Sequence, residues 1–410
     1  MPMLGTSRAS LKRVTKGVLG GTFFISFATA TYYRFLPLPD DADKHKNADS
    51  SDANHRDSSL KSKTASGISS VSIVPVQNTI KDTISSKGDK SSPNREQESF
   101  CSEHVPIFNR DETPFLLAVA QKFTIGLTTV LIRLFMNTYG EYHITDDKHY
   151  QHFLNLVLGG SGRKENNQPL ITVSNHRSLF DDPGVVSCLL PLWIGIQPKY
   201  NRWGICAQEY CYSDALPAAI KGYVSAGQVL PIRRGAGINQ TLFRDFSSLV
   251  ARGEWCHIFP EGGVWQWKEL GGRGRASVVE SEAEGMKTPK LRWGIGKLIA
   301  HSPIRPRVIP FAHIGMDNLL PQDPITRKTY LKKDIFGGEP LKVHIQFGEE
   351  IYFDDLIQEH EIKHGVLWEH RDGHDFISSK HEKELYHKIA LRIQNHLEKV
   401  TKKVVVKQQI

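Results

Sequence analysis

Short apolar runs bounded by turn-forming residues recur through the second half of the chain, and segments with helical spacing lie between them. Runs rich in β-branched and aromatic residues predict buried strands, and they occupy residues 171–174, 204–207, 228–232, 255–259 and 307–313. Residues 341–347 alternate apolar and polar positions, which predicts a half-exposed strand. Helical spacing is found over residues 183–193, 241–250 and 291–299. This alternation predicts an α/β fold, with a mainly parallel sheet covered by helices, over residues 141–355.

Residues 171–183 combine a strand, a polar loop and a helix start. Asp182 is a residue type that favours the helix N-cap, and Pro183 favours the first helical position, so a helix should begin there. His176 then lies on the loop, and Asp181 lies at the helix entrance. A carboxylate beside a histidine fixes its tautomer and stabilises the imidazolium, which is the arrangement of a general base. We predict that His176 activates a substrate hydroxyl and that Asp181 orients it; a purely structural histidine is the alternative.

Two further polar segments follow predicted strands. Arg233 and Arg234 come directly after residues 228–232, where a guanidinium can bind a phosphate group through two hydrogen bonds. Glu261 stands between a proline and a glycine at the carboxyl end of another strand, where open α/β sheets bind ligands. A pair of surface arginines and an exposed turn glutamate are the alternative interpretations.

The segment over residues 356–410 is rich in histidine and ends in an amphipathic pattern. His360, Glu361 and His364 match the spacing of a zinc hydrolase helix, with His370 available as a third ligand. Gly365 should end that helix at once, and the flanks are charged, so we predict no metal site. Apolar residues four positions apart then predict a helix that docks on the domain, with docking on a membrane as the alternative. They are Leu385, Ile389, Ile393 and Leu397.

The N-terminal region divides into three segments. Residues 1–39 lack acidic residues and join basic and hydroxyl side chains to an uncharged apolar run, which predicts a mitochondrial targeting segment or anchor; a secretory signal is the alternative. Residues 40–113 are rich in Ser, Asp, Lys and Asn and predict a disordered linker, since they cannot bury enough apolar surface. Residues 114–140 predict a helix in the membrane interface, because the uncharged run between Lys122 and Arg133 is too short to span a bilayer. A core helix is the alternative there.

The net charge limits the classes of binding partner, and the cysteine content bears on disulfides and zinc sites. The formal net charge of +8 suits an anionic partner. The chain has no helix of clustered Arg and Lys and no repeated aromatic-basic motif, so we predict no nucleic acid. Its five cysteines are an odd, scattered set, which argues against a disulfide framework. We interpret Cys206 and Cys211 as small buried side chains rather than zinc ligands.

Four segments, taken in order, carry a resemblance to a known family. They are Asn175-His176-x-Ser178-x-x-Asp181, Gly227 to Arg233, Phe259-Pro260-Glu261-Gly262 and Val308-Ile309-Pro310. Their order resembles the four blocks of the glycerolipid acyltransferase superfamily. Within it, the runs SNHRSLFDDP, LPIRRG, LRWGIGKLIA and IPFAHIGMDNLLP resemble the tafazzin family. The resemblance covers about residues 114–353, and the linker, residues 271–290 and the tail depart from the pattern.

The resemblance implies a glycerolipid acyltransferase-like fold with membrane-associated N-terminal helices. It implies acyl transfer from a phospholipid to a lysophospholipid such as monolysocardiolipin, in cardiolipin remodelling, without coenzyme A, other cofactor or metal. His176 would take the lysolipid proton and Asp181 would hold His176. The residues implied to bind substrate are Asn175, Ser178, Gly227, Arg233 or Arg234, Glu261, Gly262 and Pro310. The predicted location is a mitochondrial membrane, inner or outer, facing the intermembrane space. An acyl-coenzyme A-dependent acyltransferase is the alternative, because it shares the fold and the base.

Overall fold

The computed structural model describes residues 115–264, 266, 278–280, 287–323, 329–332, 339–370 and 377–408. The predicted targeting segment (1–39) and linker (40–113) lie outside these residues. Most of the segment over 271–290 does too, and its described part is a short antiparallel hairpin.

Nine strands are found in the described part of the chain, and five of them form the central sheet. The strands are β1 (Gly140–Ile144), β2 (Leu170–Ser174), β3 (Gly204–Ala207), β4 (Val229–Ile232), β5 (Trp255–Ile258), β6 (Val278–Glu280), β7 (Lys287–Pro289), β8 (Arg307–Ile314) and β9 (Leu341–Phe347). The sheet order is β1-β9-β8-β2-β5. Only the β8–β9 pairing is antiparallel, and the other three are parallel. The prediction of a mainly parallel sheet in an α/β fold is therefore confirmed.

The parallel pair β3–β4 continues this sheet beyond β5. Trp203 makes the link: its N–H donates to the carbonyl of Trp255, and its carbonyl accepts the N–H of His257, both at 2.7 Å. The bridge between Trp203 and Cys256 is parallel. Strands β2, β3, β4, β5 and β8 consequently run in one direction, and their carboxyl ends meet at one edge, which we call the carboxyl edge. Strands β1 and β9 run the other way and end at the opposite edge.

Helices cover both faces of the sheet. They are α1 (Phe115–Tyr139), α2 (Lys148–Leu158), α3 (Asp181–Gly184), α4 (Leu192–Gly195), α5 (Gln208–Cys211), α6 (Ala218–Ala226), α7 (Thr241–Ala251), α8 (Gly294–Ala300), α9 (Asp354–His364) and α10 (Lys380–Gln408). Ile171 and Val173 of β2 belong to the core shared with α7, α8 and α10, whereas Leu170 belongs to the core shared with α1 and α2. Neighbouring strand residues point to opposite faces. Burial on both faces explains why β2 is an unbroken apolar run.

The chain after the loop differs from our prediction of one helix over residues 183–193. It forms α3, a 3₁₀ turn and α4, with breaks between them. Pro191 has no N–H to continue a helix and precedes α4. The predicted N-cap is also wrong, because Phe180 holds that position. Asp182 instead accepts two hydrogen bonds from the Arg202 guanidinium, at 2.7 and 2.5 Å.

Cys206 and Cys211 form a disulfide, contrary to our interpretation of them as unlinked buried side chains. Both are half-buried. Helix α5 turns the chain directly after β3 and brings the two Cα atoms within 6.2 Å, which is inside the range that a disulfide spans. The other described cysteines, Cys188 and Cys256, are free and buried.

Helix α10 docks on the domain through its apolar stripe. Leu385, Ile389 and Ile393 are buried in the core. A capping box fixes its start: the N–H of Ser379 donates to the carboxylate of Glu382 at 2.5 Å, and the N–H of Glu382 donates to Ser379 Oγ at 3.2 Å. The amphipathic pattern therefore serves packing against the sheet.

Helix α9 carries the histidines with zinc-like spacing and ends at Gly365, where φ is +91°. The rings of His360 and His364 lie 4.9 Å apart. His370 packs against Trp368 and His301. Among the described residues, no group of three His, Cys, Asp or Glu side chains is arranged to hold a metal ion.

Candidate active site

His176 and Asp181 meet at the carboxyl edge, just beyond β2. The Nδ1 atom of His176 lies 3.0 Å from Oδ2 of Asp181, and Asp181 is fully buried. The His176 side chain is 17% exposed. Its Nε2 atom has no hydrogen-bond partner within the described part of the chain. The ring is thus oriented on one side and open to a proton donor on the other.

Backbone N–H groups hold the Asp181 carboxylate in place. Oδ2 accepts the N–H of Arg177 at 2.6 Å and the N–H of Ser178 at 2.8 Å, in addition to His176. Burial alone raises the pKa of Asp181, but His313, His176 and the Ser178 N–H outweigh it and bring the pKa below its ordinary value. Asp181 is therefore an ionised partner for a protonated imidazole.

Ser178, predicted to bind substrate, is buried and shapes the loop. Its N–H donates to Asp181, and its Oγ accepts the N–H of Phe180 at 3.2 Å. Both contacts lie within the loop itself, so the geometry gives Ser178 a structural role.

The structure adds His313 of β8, which sequence analysis missed. The Asn175 amide donates to the His313 carbonyl at 2.8 Å and accepts the His313 N–H at 3.0 Å. The His313 ring donates from Nε2 to the Asn175 carbonyl at 3.0 Å and lies 3.6 Å from Oδ2 of Asp181. Asn175, predicted to bind substrate, thus joins β2 to β8 through its side chain. A histidine at the carboxyl end of a buried strand is the signal that could have identified His313.

Aromatic packing sets the plane of the His176 ring. Phe259 stacks on it with ring centroids 4.1 Å apart and planes 17° apart. His257 lies edge-on to Phe259 at 4.6 Å and is buried, with Nδ1 2.9 Å from Thr172 Oγ1. Burial holds the pKa of His257 well below its usual value, so His257 is a neutral packing group.

Glu261 lies directly against the His176 loop. It is buried, and its Oε2 accepts the backbone N–H of His176 at 3.2 Å. Burial raises the pKa of Glu261 to about 8, although the His176 N–H and the nearby Arg177 favour the charged form. Glu261 is therefore largely uncharged at neutral pH. The alternative interpretation of Glu261 as an exposed turn residue is wrong, because the side chain is buried.

The two arginines after β4 differ in their surroundings. Arg234 forms an ion pair with Glu209 at 2.8 Å and stacks over the Tyr210 ring. The Arg233 backbone N–H is bound by Gln240 at 2.8 Å, whereas its guanidinium has no partner among the described side chains. Of the two, Arg233 is the one available for a phosphate group.

Gly227 and Pro310, also predicted to bind substrate, lie in supporting positions. Gly227 caps α6, and its carbonyl accepts from Arg202 Nη1 at 2.9 Å. Pro310 is buried within β8 opposite Val173 of β2. Gly262 follows Glu261 with φ at +72°, a conformation that favours glycine.

Replacing Glu261 by glutamine should stabilise the protein at alkaline pH. Below about pH 4.5 the Glu261 carboxyl is protonated in both the folded and the unfolded state. Between about pH 4.5 and pH 8 only the unfolded state loses this proton, so the free energy of unfolding of the wild type falls as the pH rises across this range. Glutamine does not titrate and can still accept the His176 N–H. We expect a gain on the order of 2–4 kcal/mol at pH 8 that shrinks towards pH 4.5, measured by urea unfolding. Glu359→Gln on exposed α9 is the control, and a pH-independent difference would contradict the buried, neutral Glu261.

Comparisons with known proteins cover the part of the chain that contains this site. Residues 155–313 match a family model described as Acyltransferase, and the match includes His176, Asp181 and Glu261. The chain is 29% identical to Tafazzin of Drosophila melanogaster over 238 residues, which is 57% of this chain and 54% of that protein. It is 31% identical to N-acylphosphatidylethanolamine synthase of Arabidopsis thaliana over 186 residues, 43% of this chain and 57% of that protein. It is 26% identical to Taffazin of Dictyostelium discoideum over 239 residues, 57% of this chain and 72% of that protein.

The chain spans little more than half the length of the fly and plant proteins, at 54% and 57%. The region matched by the family model nevertheless contains the His176–Asp181 pair, the strand that precedes Arg233 and the Glu261 turn. Residues 155–313 are thus similar to the acyltransferase family, and a little over half of the chain is similar to the tafazzins of fly and Dictyostelium.

Proposed function

We propose that the protein is a coenzyme A-independent acyltransferase (a transacylase) that moves a fatty acyl chain from a phospholipid to a lysophospholipid such as monolysocardiolipin, in cardiolipin remodelling. The observation that carries the proposal is the His176–Asp181 pair, a partly exposed imidazole oriented by a buried carboxylate. This pair suits deprotonation of a hydroxyl. The similarity to tafazzins of other organisms supports lipids as both donor and acceptor.

In the proposed step, Nε2 of His176 takes the proton from the lysolipid hydroxyl as that oxygen attacks the carbonyl carbon of the donor ester. The tetrahedral intermediate collapses, the C–O bond to the donor glycerol breaks, and His176 returns the proton to the departing oxygen. Asp181 stabilises the imidazolium between the two proton transfers. The products are the acylated acceptor and a new lysophospholipid, so the step is balanced without a cofactor.

Substrate positioning is proposed for residues on the same edge. Arg233, whose guanidinium has no partner among the described side chains, would bind a lipid phosphate. Glu261 and Gly262 would place the acceptor, since Glu261 already contacts the loop that carries His176. Backbone N–H groups or an arginine would meet the oxyanion.

A membrane surface is the proposed source of both lipids. Helix α1 is long and apolar enough to cross a membrane, and only 33% of its most apolar part is buried. The Arg133 side chain of α1 donates hydrogen bonds to the carbonyl of Leu190 and to the carbonyl of Cys188, the latter at 3.3 Å. These two bonds hold α1 beside α4. Apolar side chains remain exposed on α1, on α4 and on the loop after His176. They include Leu131, Leu134, Leu179, Leu192 and Trp193.

We propose that the membrane is a mitochondrial one, approached from the intermembrane space. The basis is the acid-free, basic and hydroxyl-rich composition of residues 1–39. The formal charge of +8 fits an anionic lipid surface.

Replacing Trp193 by serine should weaken membrane binding. Its side chain is 66% exposed on α4, and an indole at the membrane interface contributes binding energy through its apolar ring. We expect vesicle affinity to fall roughly threefold to tenfold, measured by flotation with vesicles of phosphatidylcholine and cardiolipin. Ile362→Ser, at an 85% exposed position on α9, is the matched control. Equal losses for both variants would argue against a membrane-facing α4.

The test of the proposed function is acyl transfer in liposomes. Labelled phosphatidylcholine and monolysocardiolipin are supplied to the full chain without coenzyme A, and labelled cardiolipin is the expected product. Transfer that begins only when acyl-coenzyme A is added, with release of free thiol, would instead place the chain among the thioester-dependent acyltransferases.

The Arabidopsis relative suggests a second acceptor class, because its name states that it makes N-acylphosphatidylethanolamine. An amine could take the position of the hydroxyl at His176. Adding phosphatidylethanolamine to the same assay distinguishes the two, since an amide-linked product resists mild alkali whereas an ester does not.

A further inference from the structure

Arg292 is an exposed arginine beside the catalytic loop that the proposed step does not use. Its backbone N–H donates to the carbonyl of Pro260 at 2.7 Å, which fixes Arg292 at the end of β5. Pro260 immediately precedes Glu261, which accepts the N–H of His176. The chain therefore places the Arg292 backbone within one hydrogen bond of the turn that contacts the catalytic loop.

The Arg292 side chain packs directly against Gly262. A Cβ atom at Gly262 would lie 3.1 Å from Cγ and 3.2 Å from Nε of Arg292, which is tighter than ordinary van der Waals contact. The absence of a side chain thus lets Arg292 lie flat against the peptide after Glu261. The close approach of Arg292 is therefore a second physical reason, besides the positive φ, for a glycine at position 262.

The Arg292 guanidinium is not neutralised by any side chain in the described part of the chain. Arg177 and Arg234, which also lie near the carboxyl edge, pair with Asp317 and Glu209, respectively. Arg292 has no hydrogen bond or ion pair to any side chain that the structure describes, and in this it matches Arg233. Arg233 and Arg292 are therefore guanidinium groups at this edge that have no partner among the described side chains.

Strand order sets the separation of these two groups. Arg233 follows β4 and Arg292 is fastened at the end of β5, with β3 between them. Two strand spacings amount to roughly 10 Å. Long, flexible side chains can reduce that distance, so the pair can approach two anionic groups carried by one molecule.

We propose that Arg292 is a second phosphate-binding residue of the active site and that, with Arg233, it selects an acceptor lipid carrying two phosphodiester groups. This inference rests on the proposed transacylase function. Each guanidinium would bind one phosphate through charge-assisted hydrogen bonds. A lysophospholipid with one phosphate could engage only one of the two arginines, so loss of Arg292 would affect the two kinds of acceptor differently.

Arg292→Gln tests this by steady-state kinetics with two acceptors, monolysocardiolipin and lysophosphatidylcholine. We expect KM for monolysocardiolipin to rise roughly tenfold with little change in kcat, since one charge-assisted contact is lost. KM for lysophosphatidylcholine should stay within about twofold, and Arg292→Lys should recover part of the loss because it keeps the charge. Lys148→Gln removes an exposed positive charge at the opposite edge and should change neither KM.

Binding measurements separate this inference from the proposed function. In a His176→Ala background, the affinity for monolysocardiolipin in detergent micelles should fall roughly tenfold on adding Arg292→Gln, whether or not the protein transfers acyl groups. If the wild-type protein transferred no acyl groups, the proposed function would be contradicted. The binding comparison would still test whether Arg292 binds the acceptor. Equal changes with both acceptors, or none, would overturn the inference. A parallel loss of binding to anionic vesicles without lysolipid would assign Arg292 to the membrane surface instead and overturn it too.

Discussion

His176→Ala should lower the rate of acyl transfer from phospholipid to lysophospholipid by roughly 10³-fold, the scale expected for loss of a general base. His176 is 17% exposed and lies 3.0 Å from a buried carboxylate, so it is both accessible to substrate and oriented. Alanine leaves the lysolipid hydroxyl without a base and the departing oxygen without its proton. The measurement is the initial rate of labelled cardiolipin formation in liposomes without coenzyme A.

The control is His143→Ala, which removes an imidazole that is 57% exposed on β1. Its rate should stay within about twofold of wild type, since a surface substitution away from the site has little effect. The His176→Ala protein should also bind vesicles as wild type does. Transfer retained within about tenfold by that variant would rule out His176 as the base.

The His176–Asp181 pair could be predicted because its geometry is local. The two residues are five positions apart, and a buried strand fixes one end of the loop. The helix predicted over residues 183–193 was wrong in extent, because apolar spacing alone cannot distinguish one helix from several short turns that bury the same side chains. Pro191 was the local signal against a continuous helix.

Long-range contacts at the site could not be predicted from one sequence. His313 reaches Asn175 across 138 positions, through the pairing of β2 with β8. The contact of Asn175 with His313 follows from that register, so one sequence could not show it. The Cys206–Cys211 disulfide was missed for a different reason: a spacing of five is compatible with a disulfide only if a tight turn joins the two residues.

Charge pairing decides which arginine is available, and pairing is a property of the fold. Sequence analysis left Arg233 and Arg234 equivalent. The turn of α5 brings Glu209 and Tyr210 to Arg234 and satisfies it, whereas Arg233 stays unpaired among the described residues. Availability of a cation therefore depends on a carboxylate more than twenty positions away along the chain.

Asp181→Asn isolates the charge of Asp181 from its hydrogen bonds. Oδ2 accepts three donors, whereas Oδ1 is buried with no hydrogen-bond partner in the structure. An asparagine can place its amide oxygen at the Oδ2 position and its NH₂ at the Oδ1 position. The loop should then keep its shape, and the free energy of unfolding should change by no more than about 1–2 kcal/mol.

Acyl transfer by Asp181→Asn should nevertheless fall by roughly 10²- to 10⁴-fold, because the imidazolium formed on proton capture loses its anionic partner. Asp181→Ala should add a loss of stability of about 1–3 kcal/mol for each buried N–H left without an acceptor, at Arg177 and Ser178. Asp355→Asn, which removes an exposed carboxylate paired with Arg392, should leave transfer unchanged. Rates from the liposome assay and urea unfolding of the same proteins provide both readouts. An Asp181→Asn protein with unchanged stability and an unchanged rate would exclude an ionised partner for His176, because the substitution removes the charge and keeps an oxygen acceptor at the Oδ2 position.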